Sequence, residues 1–424
     1  MTLFLVVFLI IILLLIIKTN NRIFFNEIFW MFIFWGLIIG VYCFSGVKWK
    51  YSVTIDLIIY LLVAFSLFMI GRKYGYTKKV KMYYQEFSKI NQNFYCRLGI
   101  IGVIAFSIDY IRLNGLFASK SGYNISIVGS IGNLMIPILL VLGLYMFAES
   151  LINNGKINIK AILLLVAYAI PCILNSGRES IAFIFIGIAA IYGYYAYFNK
   201  KTYRVVKLKK LLIKILIAIF AICVICFIVY ISKERFGDNE VSTFLNTHNV
   251  TLTAMKDAEA WGNFEFLYYN ISSYFSHQLS FLEFMLKEYH GPYMYGMYEL
   301  NIISRRLPAF LGLDYNLVSQ QLRRLYILKG VSYSGDWFTI LGSLIVDFGR
   351  VGSMVVIFLC GYLCGIVKKN LSLYSDISYV VLRAIICICM FSSIQLGPFY
   401  NILIYGAFIW WLIIFRKRDY RVKG

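Results

Sequence analysis

The chain has 424 residues, of which 61% are hydrophobic and only 14% are charged. A soluble globular domain is closer to a quarter charged, and one core could not bury so many apolar side chains. The composition therefore excludes an ordinary soluble protein and predicts helices that face lipid. The net charge of +21 does not indicate nucleic-acid binding, because most Lys and Arg residues lie in short segments between apolar runs.

In chain order, the apolar runs predict about eleven membrane spans, and the pattern is compatible with ten to twelve. We therefore predict an all-α fold, a polytopic transmembrane helical bundle that forms one membrane domain over residues 1–424. The first run has no basic residues before it and no small-residue cleavage site after it, so we expect a retained span. The predicted spans are residues 3–17, 29–44, 53–70, 98–111, 125–147, 161–174, 181–198, 215–231, 352–367, 379–396 and 402–415.

The orientation of the bundle follows from its basic segments. Four segments are rich in Lys and Arg: residues 72–97, 200–214, 368–369 and 416–423. Eleven spans place all four on one face, which we predict to be cytoplasmic. A twelfth span at residues 338–346 would move the last two segments to the other face. We therefore interpret residues 337–350 as a re-entrant or membrane-capping helix.

Residues 233–350 are predicted to form one large extracytoplasmic loop that ends in this helix. Residues 233–337 carry nine basic and eleven acidic residues of the chain's 41 and 20, so this segment is nearly neutral while the rest is strongly cationic. Within it, residues 264–288 have apolar side chains at three- and four-residue spacing. This spacing predicts a helix, which we expect to pack on the outer face of the membrane.

Charged residues near the ends of spans are candidates for function, because a charge in the bilayer is costly. Arg178 and Glu179 lie in the outer turn 175–180, where a turn can use Gly177 but needs no adjacent charges. The alternative is an interfacial arginine that pairs locally. Arg383 lies near the cytoplasmic end of its span, and we expect its side chain to reach the interface there.

Two pairs of arginines, Arg305-Arg306 and Arg323-Arg324, lie in the outer segment. Each pair alone is typical of a solvated helix face. Together with Arg178 they provide planar, permanently charged groups on one side of the membrane. Such groups suit phosphate recognition, because each guanidinium can donate two parallel hydrogen bonds.

Asp336 and Asp347 bracket a mostly apolar stretch at the end of the outer segment. Asp347 is three residues before Arg350, so the two could instead form an ion pair on one helix face. Gly361 and Gly365 follow with the four-residue spacing of closely packed membrane helices.

The sequence shows no metal-ligand spacing among its three histidines and nine cysteines. It also contains no glycine-rich phosphate loop and no dinucleotide-binding fingerprint. We therefore expect neither a metal nor a cofactor. Any chemistry must use a substrate that carries its own leaving group.

The stretch from Thr339 to Gly352, continuing to Gly361, resembles the late signature of bacterial oligosaccharide repeat-unit polymerases, the O-antigen polymerase family. The turn Ser176-Gly177-Arg178 is similar to an earlier landmark of that family. The layout of many spans, one large outer loop and a basic tail agrees with it. The resemblance implies a membrane glycosyltransferase of the bacterial inner membrane that makes O-antigen or capsular polysaccharide.

The resemblance also implies a reaction, in which a growing glycan on undecaprenyl diphosphate is transferred to the next lipid-linked repeat unit. The implied partners are this lipid-linked oligosaccharide, membrane lipid and a protein that regulates chain length. The family's functional arginines lie in outer loops, which implies Arg178 first. The implied diphosphate and glycan contacts are Arg305, Arg306, Arg323, Arg324, Asp347 and Arg350. The candidates for the general base, in order, are Asp336, Glu179 and His290.

Two other functions are compatible with this layout. An O-antigen ligase would transfer the glycan to a lipid A core, but the signature favours the polymerase. A flippase or other transporter of lipid-linked oligosaccharide would commonly have repeated halves and helices broken near mid-membrane. The sequence shows no sign of either feature.

Overall fold

The structure is a computed structural model that describes residues 26–44, 48–77, 91–115, 126–174, 179–198, 265–300, 315–330, 339–374, 376–394, 397 and 401–415. This part of the chain is all-helical, as predicted. Its helices are α1 (Glu27–Phe44), α2 (Ile55–Thr77), α3 (Gln92–Asn114), α4 (Ile127–Met135), α5 (Pro137–Asn154), α6 (Ile159–Leu174), α7 (Glu179–Phe198), α8 (Glu265–Glu288), α9 (Tyr315–Leu328), α10 (Thr339–Tyr374), α11 (Ile377–Ser392) and α12 (Ile402–Ile414).

Nine of the eleven predicted spans correspond to helices of the described residues. The other two, at residues 3–17 and 215–231, lie outside the described residues. In the part of the chain that the structure describes, five helical stretches are long and apolar enough to cross a membrane, and four shorter helices are also apolar. These helices support a membrane protein. The count of eleven spans and the large outer loop stay predictions.

Helices α2 and α10 pack against each other along their length through glycines on both sides. Gly71 and Gly75 of α2 lie against backbone carbonyls of α10, and Gly361 and Gly365 of α10 lie against backbone carbonyls of α2. A Cβ atom at any of these positions would collide with backbone. The predicted packing role of Gly361 and Gly365 is therefore confirmed, because only glycine permits this close approach.

A buried ionic cluster joins α1, α2 and α11. The Glu27 carboxylate is 1% exposed and accepts a hydrogen bond from Arg72 Nε at 2.5 Å and from Arg383 Nη2 at 2.8 Å. Asn26 Oδ1 also accepts from Arg72 Nη2, at 3.3 Å. The expectation that Arg383 reaches the interface is wrong, because its guanidinium is held inside the bundle by Glu27. We call this end of the bundle the Glu27 end.

Described helix ends next to three of the predicted cytoplasmic segments lie at the Glu27 end. Lys368 Nζ of α10 lies 4.9 Å from the centre of the Tyr76 ring at the end of α2. Trp411 Nε1, near the end of α12, donates to the carbonyl of Ser378 at the start of α11, at 2.8 Å. The basic segments that follow α2 and α12, and the one that contains Lys368, therefore start from the same end of the bundle.

Helix α8 covers the opposite end, where the connection between α1 and α2 lies. Trp49 Nε1 of this connection donates to Ser276 Oγ at 3.1 Å. Thr54 donates its backbone amide and its hydroxyl to Glu283, at 3.1 and 2.7 Å. The helix predicted at residues 264–288 is thus present, and it packs on the end of the bundle that is remote from the predicted cytoplasmic segments.

The Glu27 cluster predicts a large loss of stability when its acid is neutralised. In Glu27→Gln, two buried guanidinium groups lose their counter-charge, and breaking such a pair costs about 3–5 kcal/mol. The measurement is the thermal unfolding midpoint of the purified protein in detergent. Glu288→Gln is the control, because Glu288 pairs with Lys329 at 2.6 Å where both side chains are partly exposed. Equal midpoints for the two variants would contradict the burial of this cluster.

Candidate functional site

Helix α10 is broken at Gly349, which has φ 71° and ψ −178°. This φ favours glycine, and a Cβ atom here would lie 3.0 Å from Cζ of the Tyr293 ring. The break divides α10 into a short arm, residues 339–348, and a long arm, residues 350–374. The short arm corresponds to the helix interpreted from the sequence as re-entrant or membrane-capping.

Asp347, at the end of the short arm, holds the chain that follows α8. It is fully buried, and its two carboxylate oxygens accept hydrogen bonds from the backbone amides of Tyr298 and Glu299, at 2.8 and 3.0 Å. Its own carbonyl accepts from the amide of Tyr295 at 2.8 Å. Both oxygens are thus used within the protein. This arrangement favours a positioning role for Asp347 over the substrate contact expected from the resemblance.

Arg350, on the other side of the break, does not pair with Asp347. Its guanidinium donates instead to the backbone carbonyl of Leu286, in the last turn of α8. A cation at this place also suits the negative end of the helix dipole. The alternative of an Asp347–Arg350 ion pair is therefore wrong, because Gly349 separates the two residues and each binds a different part of the segment from α8 to Glu299.

The segment that Asp347 holds also carries a buried carboxylate, that of Glu299. Its side chain lies against the backbone of Gly397, so that a Cβ atom at position 397 would collide with both carboxylate oxygens. Glu299 is only 6% exposed. Gly397 belongs to the connection between α11 and α12, residues 393–401, which we call the 393–401 connection.

Hydroxyl groups and backbone amides surround this contact. Ser343 Oγ of the short arm donates to the Thr339 carbonyl at 3.1 Å and accepts from the Gly397 amide at 3.3 Å. The amide of Ile340 donates to the Ser393 carbonyl at 2.8 Å. Ser393 Oγ accepts in turn from Trp35 Nε1 of α1 at 3.3 Å. The start of α10 and the end of α11 are thus joined inside the bundle.

Helix geometry places this junction deep in the bundle. Ser393 is ten residues beyond Arg383, which corresponds to about 15 Å along α11. Trp35 is eight residues beyond Glu27, or about 12 Å along α1. The start of the short arm therefore lies inside the bundle, about 12–15 Å from the Glu27 end. The re-entrant interpretation of this arm stays a prediction.

The other end of the 393–401 connection holds a second carboxylate. Asn401 Nδ2 donates to Glu179 Oε2 at 2.5 Å, while Asn401 Oδ1 accepts from the amide of Leu403 and caps α12 at 3.0 Å. Glu179 is half-buried at the start of α7. Its carboxylate is therefore oriented by a side chain that is itself fixed. Glu179 and Asn401 thus form a polar pair that joins the start of α7 to the start of α12.

The remaining predicted residues are distributed as follows. His290 is exposed just after α8, and within the described residues it makes no hydrogen bond to Glu179. Arg323 and Arg324 are exposed on α9, whose Tyr326 stacks on Phe284 of α8 at 5.3 Å between ring centres. The exposure of both arginines is typical of a solvated helix face. Arg178, Arg305, Arg306 and Asp336 lie outside the described residues.

The side chain of Tyr289, next to His290, is fixed by a hydrogen bond. Burial and the nearby Asp347 carboxylate raise the pKa of its phenol above the usual value. It therefore stays protonated and donates its hydroxyl to the Pro292 carbonyl. This bond holds the turn that carries Tyr293 against Gly349.

Sequence reasoning missed Glu299 and Asn401. Glu299 lies between apolar and aromatic neighbours, in the run Met297-Tyr298-Glu299-Leu300, and this isolation of one acid is the signal that could have identified it. Asn401 opens a predicted span, as a helix-capping residue would, so its sequence context indicated only a cap.

Within the described residues, no three His, Cys, Asp or Glu side chains come close enough together to hold a metal ion. No family model matches the chain, and no match is found among curated proteins or solved structures. The resemblance to O-antigen polymerases therefore rests on the sequence features alone.

The contact between Glu299 and Gly397 can be tested by a double-mutant cycle. Gly397→Ala should lower the thermal unfolding midpoint, because an added methyl group in a packed interior typically costs about 1–3 kcal/mol. Glu299→Ala removes the carboxylate that the methyl group would meet. The double variant should therefore be less destabilised than the sum of the single variants. Strictly additive effects would show that the two residues are not in contact.

Proposed function

We propose that the protein is a membrane glycosyltransferase that polymerises lipid-linked oligosaccharide repeat units into O-antigen or capsular polysaccharide at a bacterial inner membrane. The proposal takes its reaction from the sequence resemblance. The observation that carries it is the Glu179–Asn401 pair, a carboxylate oriented by an amide beside the buried junction of α10 and α11. Arg178, the first arginine implied by the resemblance, is the adjacent residue in the chain.

In this proposal Glu179 is the general base. Its carboxylate accepts the proton of an acceptor sugar hydroxyl as the hydroxyl oxygen bonds to the anomeric carbon of the donor glycan. The bond from that carbon to the diphosphate oxygen breaks, and undecaprenyl diphosphate leaves with the electron pair. The proton then passes from Glu179 to water. The substrate supplies its own leaving group, so neither a nucleotide nor a cofactor takes part.

Arginine supplies the second requirement, which is stabilisation of the negative charge that develops on the leaving diphosphate. Arg178 is adjacent to the base, and Arg305 and Arg306 precede α9 in the same outer segment. A guanidinium keeps its charge under all physiological conditions and binds two phosphate oxygens at once. The exposed pair Arg323-Arg324 would contact substrate at the surface of the protein, above α8.

Glu299 and Asp347 are positioning residues in this account. Asp347 fixes the backbone at Glu299, and Glu299 fills the space beside Gly397. In this proposal they act on the 393–401 connection, which ends at Asn401, the residue that donates to the Glu179 carboxylate.

A transporter of lipid-linked oligosaccharide is the second candidate, because one observation favours it. The sequence showed no broken helix, but α10 is broken at Gly349 within a stretch that is apolar over 33 residues. Broken helices with polar groups at mid-depth are a common feature of transporter binding sites. The break therefore removes one of the objections to a transporter, and the two functions must be separated by experiment.

Deletion of the gene distinguishes a polymerase from a transporter. Loss of a polymerase should reduce the surface polysaccharide to single repeat units that are still attached to the core. Loss of a flippase or ligase would remove surface glycan completely, including the single-unit form. The measurement is the length distribution of surface polysaccharide on a gel, and complete loss of glycan would contradict the proposal.

Glu179→Gln tests the base. Glutamine keeps the shape of the side chain and an oxygen for Asn401, but it cannot accept a proton at neutral pH. We expect chain elongation to fall by a factor of about 10²–10⁴, the usual contribution of a general base, with normal insertion of the protein. Glu149→Gln is the matched control, because Glu149 is also half-buried and accepts one hydrogen bond, from Tyr145 at 3.3 Å. Wild-type chain lengths in Glu179→Gln would exclude this residue as the base.

A further inference from the structure

Helix α9 has an exposed face on which two arginines adjoin two apolar side chains. Leu322 and Tyr326 of this helix are buried, and Tyr326 stacks on α8. Ile327 and Leu328 are 67% and 81% exposed, although both are apolar. Each follows an exposed arginine by four residues, so the cationic and apolar groups are neighbours on one surface. We call this surface the α9 face, and it consists of Arg323, Arg324, Ile327 and Leu328.

The positive charge of the α9 face is not neutralised by the acids at the end of α8. Glu283 and Glu288 are bound there by Lys287 at 2.9 Å and by Lys329 at 2.6 Å. Within the residues that the structure describes, neither arginine of the α9 face forms an ion pair. Lys50 adds a further cation, since its ammonium group donates to two backbone carbonyls after the end of α9, at 2.6 and 3.1 Å, which leave its charge uncancelled.

The contact with Lys50 also locates the α9 face relative to the apolar helices. Lys50 belongs to the connection between α1 and α2, and it holds the carbonyls of the two residues that follow Leu328. Both helices are apolar, and α2 is long enough to cross a membrane. Ile55, the first residue of α2, is 61% exposed, as is expected of a side chain that faces lipid. The α9 face therefore lies beside the start of α2, where the predicted lipid-facing surface of the bundle begins.

We propose that the α9 face docks on the bilayer surface at this end of the bundle and binds the headgroups of anionic phospholipids. Ile327 and Leu328 would insert among the first carbons of the acyl chains, and Arg323 and Arg324 would bind phosphate oxygens beside them. Apolar side chains next to cations are typical of helices that lie in a membrane interface. Basic residues near an anionic membrane surface add to the affinity one by one, so the two arginines and Lys50 act together.

A second protein is the alternative occupant, and the size of the apolar patch argues against it. A stable protein interface buries about 800 Å² on each partner, and two apolar side chains supply only a small part of such an area. Shallow insertion into lipid needs no larger surface. The proposal does not depend on the glycosyltransferase activity, because docking requires phospholipid alone. The proposed substrate is itself a lipid, so its diphosphate would meet the same arginines in the headgroup layer.

The test uses the purified full-length protein with the photo-reactive amino acid p-benzoylphenylalanine at position 328, in nanodiscs of equal parts phosphatidylglycerol and phosphatidylcholine. Irradiation joins the benzophenone to a neighbouring C–H group, and mass spectrometry identifies the adduct. We expect phospholipid adducts at position 328, with phosphatidylglycerol in excess. In Arg323→Gln/Arg324→Gln the yield of the phosphatidylglycerol adduct should fall by roughly fivefold or more, because two basic contacts with the lipid are lost.

The photo-reactive group at position 59 is the positive control, because Ile59 is 54% exposed within a helix that is apolar enough to cross a membrane. The matched charge control is Lys156→Gln/Lys160→Gln with the group kept at position 328. It removes the same charge from two exposed lysines of the α5–α6 region and should leave the adduct yield unchanged. Equal loss of the adduct in both double variants would overturn the proposal. So would lipid adducts at position 59 without any at 328, or an adduct of position 328 with a second protein chain instead of lipid.

Discussion

Asp347 receives two backbone amides, those of Tyr298 and Glu299, and the candidate site depends on these hydrogen bonds. Asp347 lies at the end of the short arm, two residues before the break at Gly349. These hydrogen bonds contribute to stability because the site is buried. An unsatisfied amide inside the bundle would cost about 1–3 kcal/mol. Asp347 thus holds the backbone at Glu299, and the Glu299 carboxylate lies against Gly397 of the 393–401 connection.

The Glu27 cluster supplies the other fixed point of the bundle. It joins α1, α2 and α11 at one end, while Asp347 and Arg350 join α8 to α10 at the other. Between the two ends, the glycines of α2 and α10 hold these helices in backbone contact. The hydrogen-bonded junction at Ser393 lies between these fixed points.

Hydropathy predicted nine spans that correspond to helices of the described residues, because membrane spans are determined by local composition. The four-residue spacing of Gly361 and Gly365 likewise predicted a close helix contact. The predictions that were wrong concern residues whose partners are distant in the sequence. Arg383 was expected at the interface because its partner, Glu27, is 356 positions away in the chain. The role of Asp347 was obscured in the same way, because the sequence shows its neighbour Arg350 but not the folded segment 295–299 that it binds.

We propose that this bundle forms glycosidic bonds and does not merely move glycan across the membrane. Purified protein in vesicles, supplied with lipid-linked repeat units on both donor and acceptor, tests it most directly. The account predicts a ladder of glycans on lipid, with one undecaprenyl diphosphate released for each bond formed. Movement of the repeat units across the vesicle membrane, without a ladder and without release of lipid diphosphate, would contradict it.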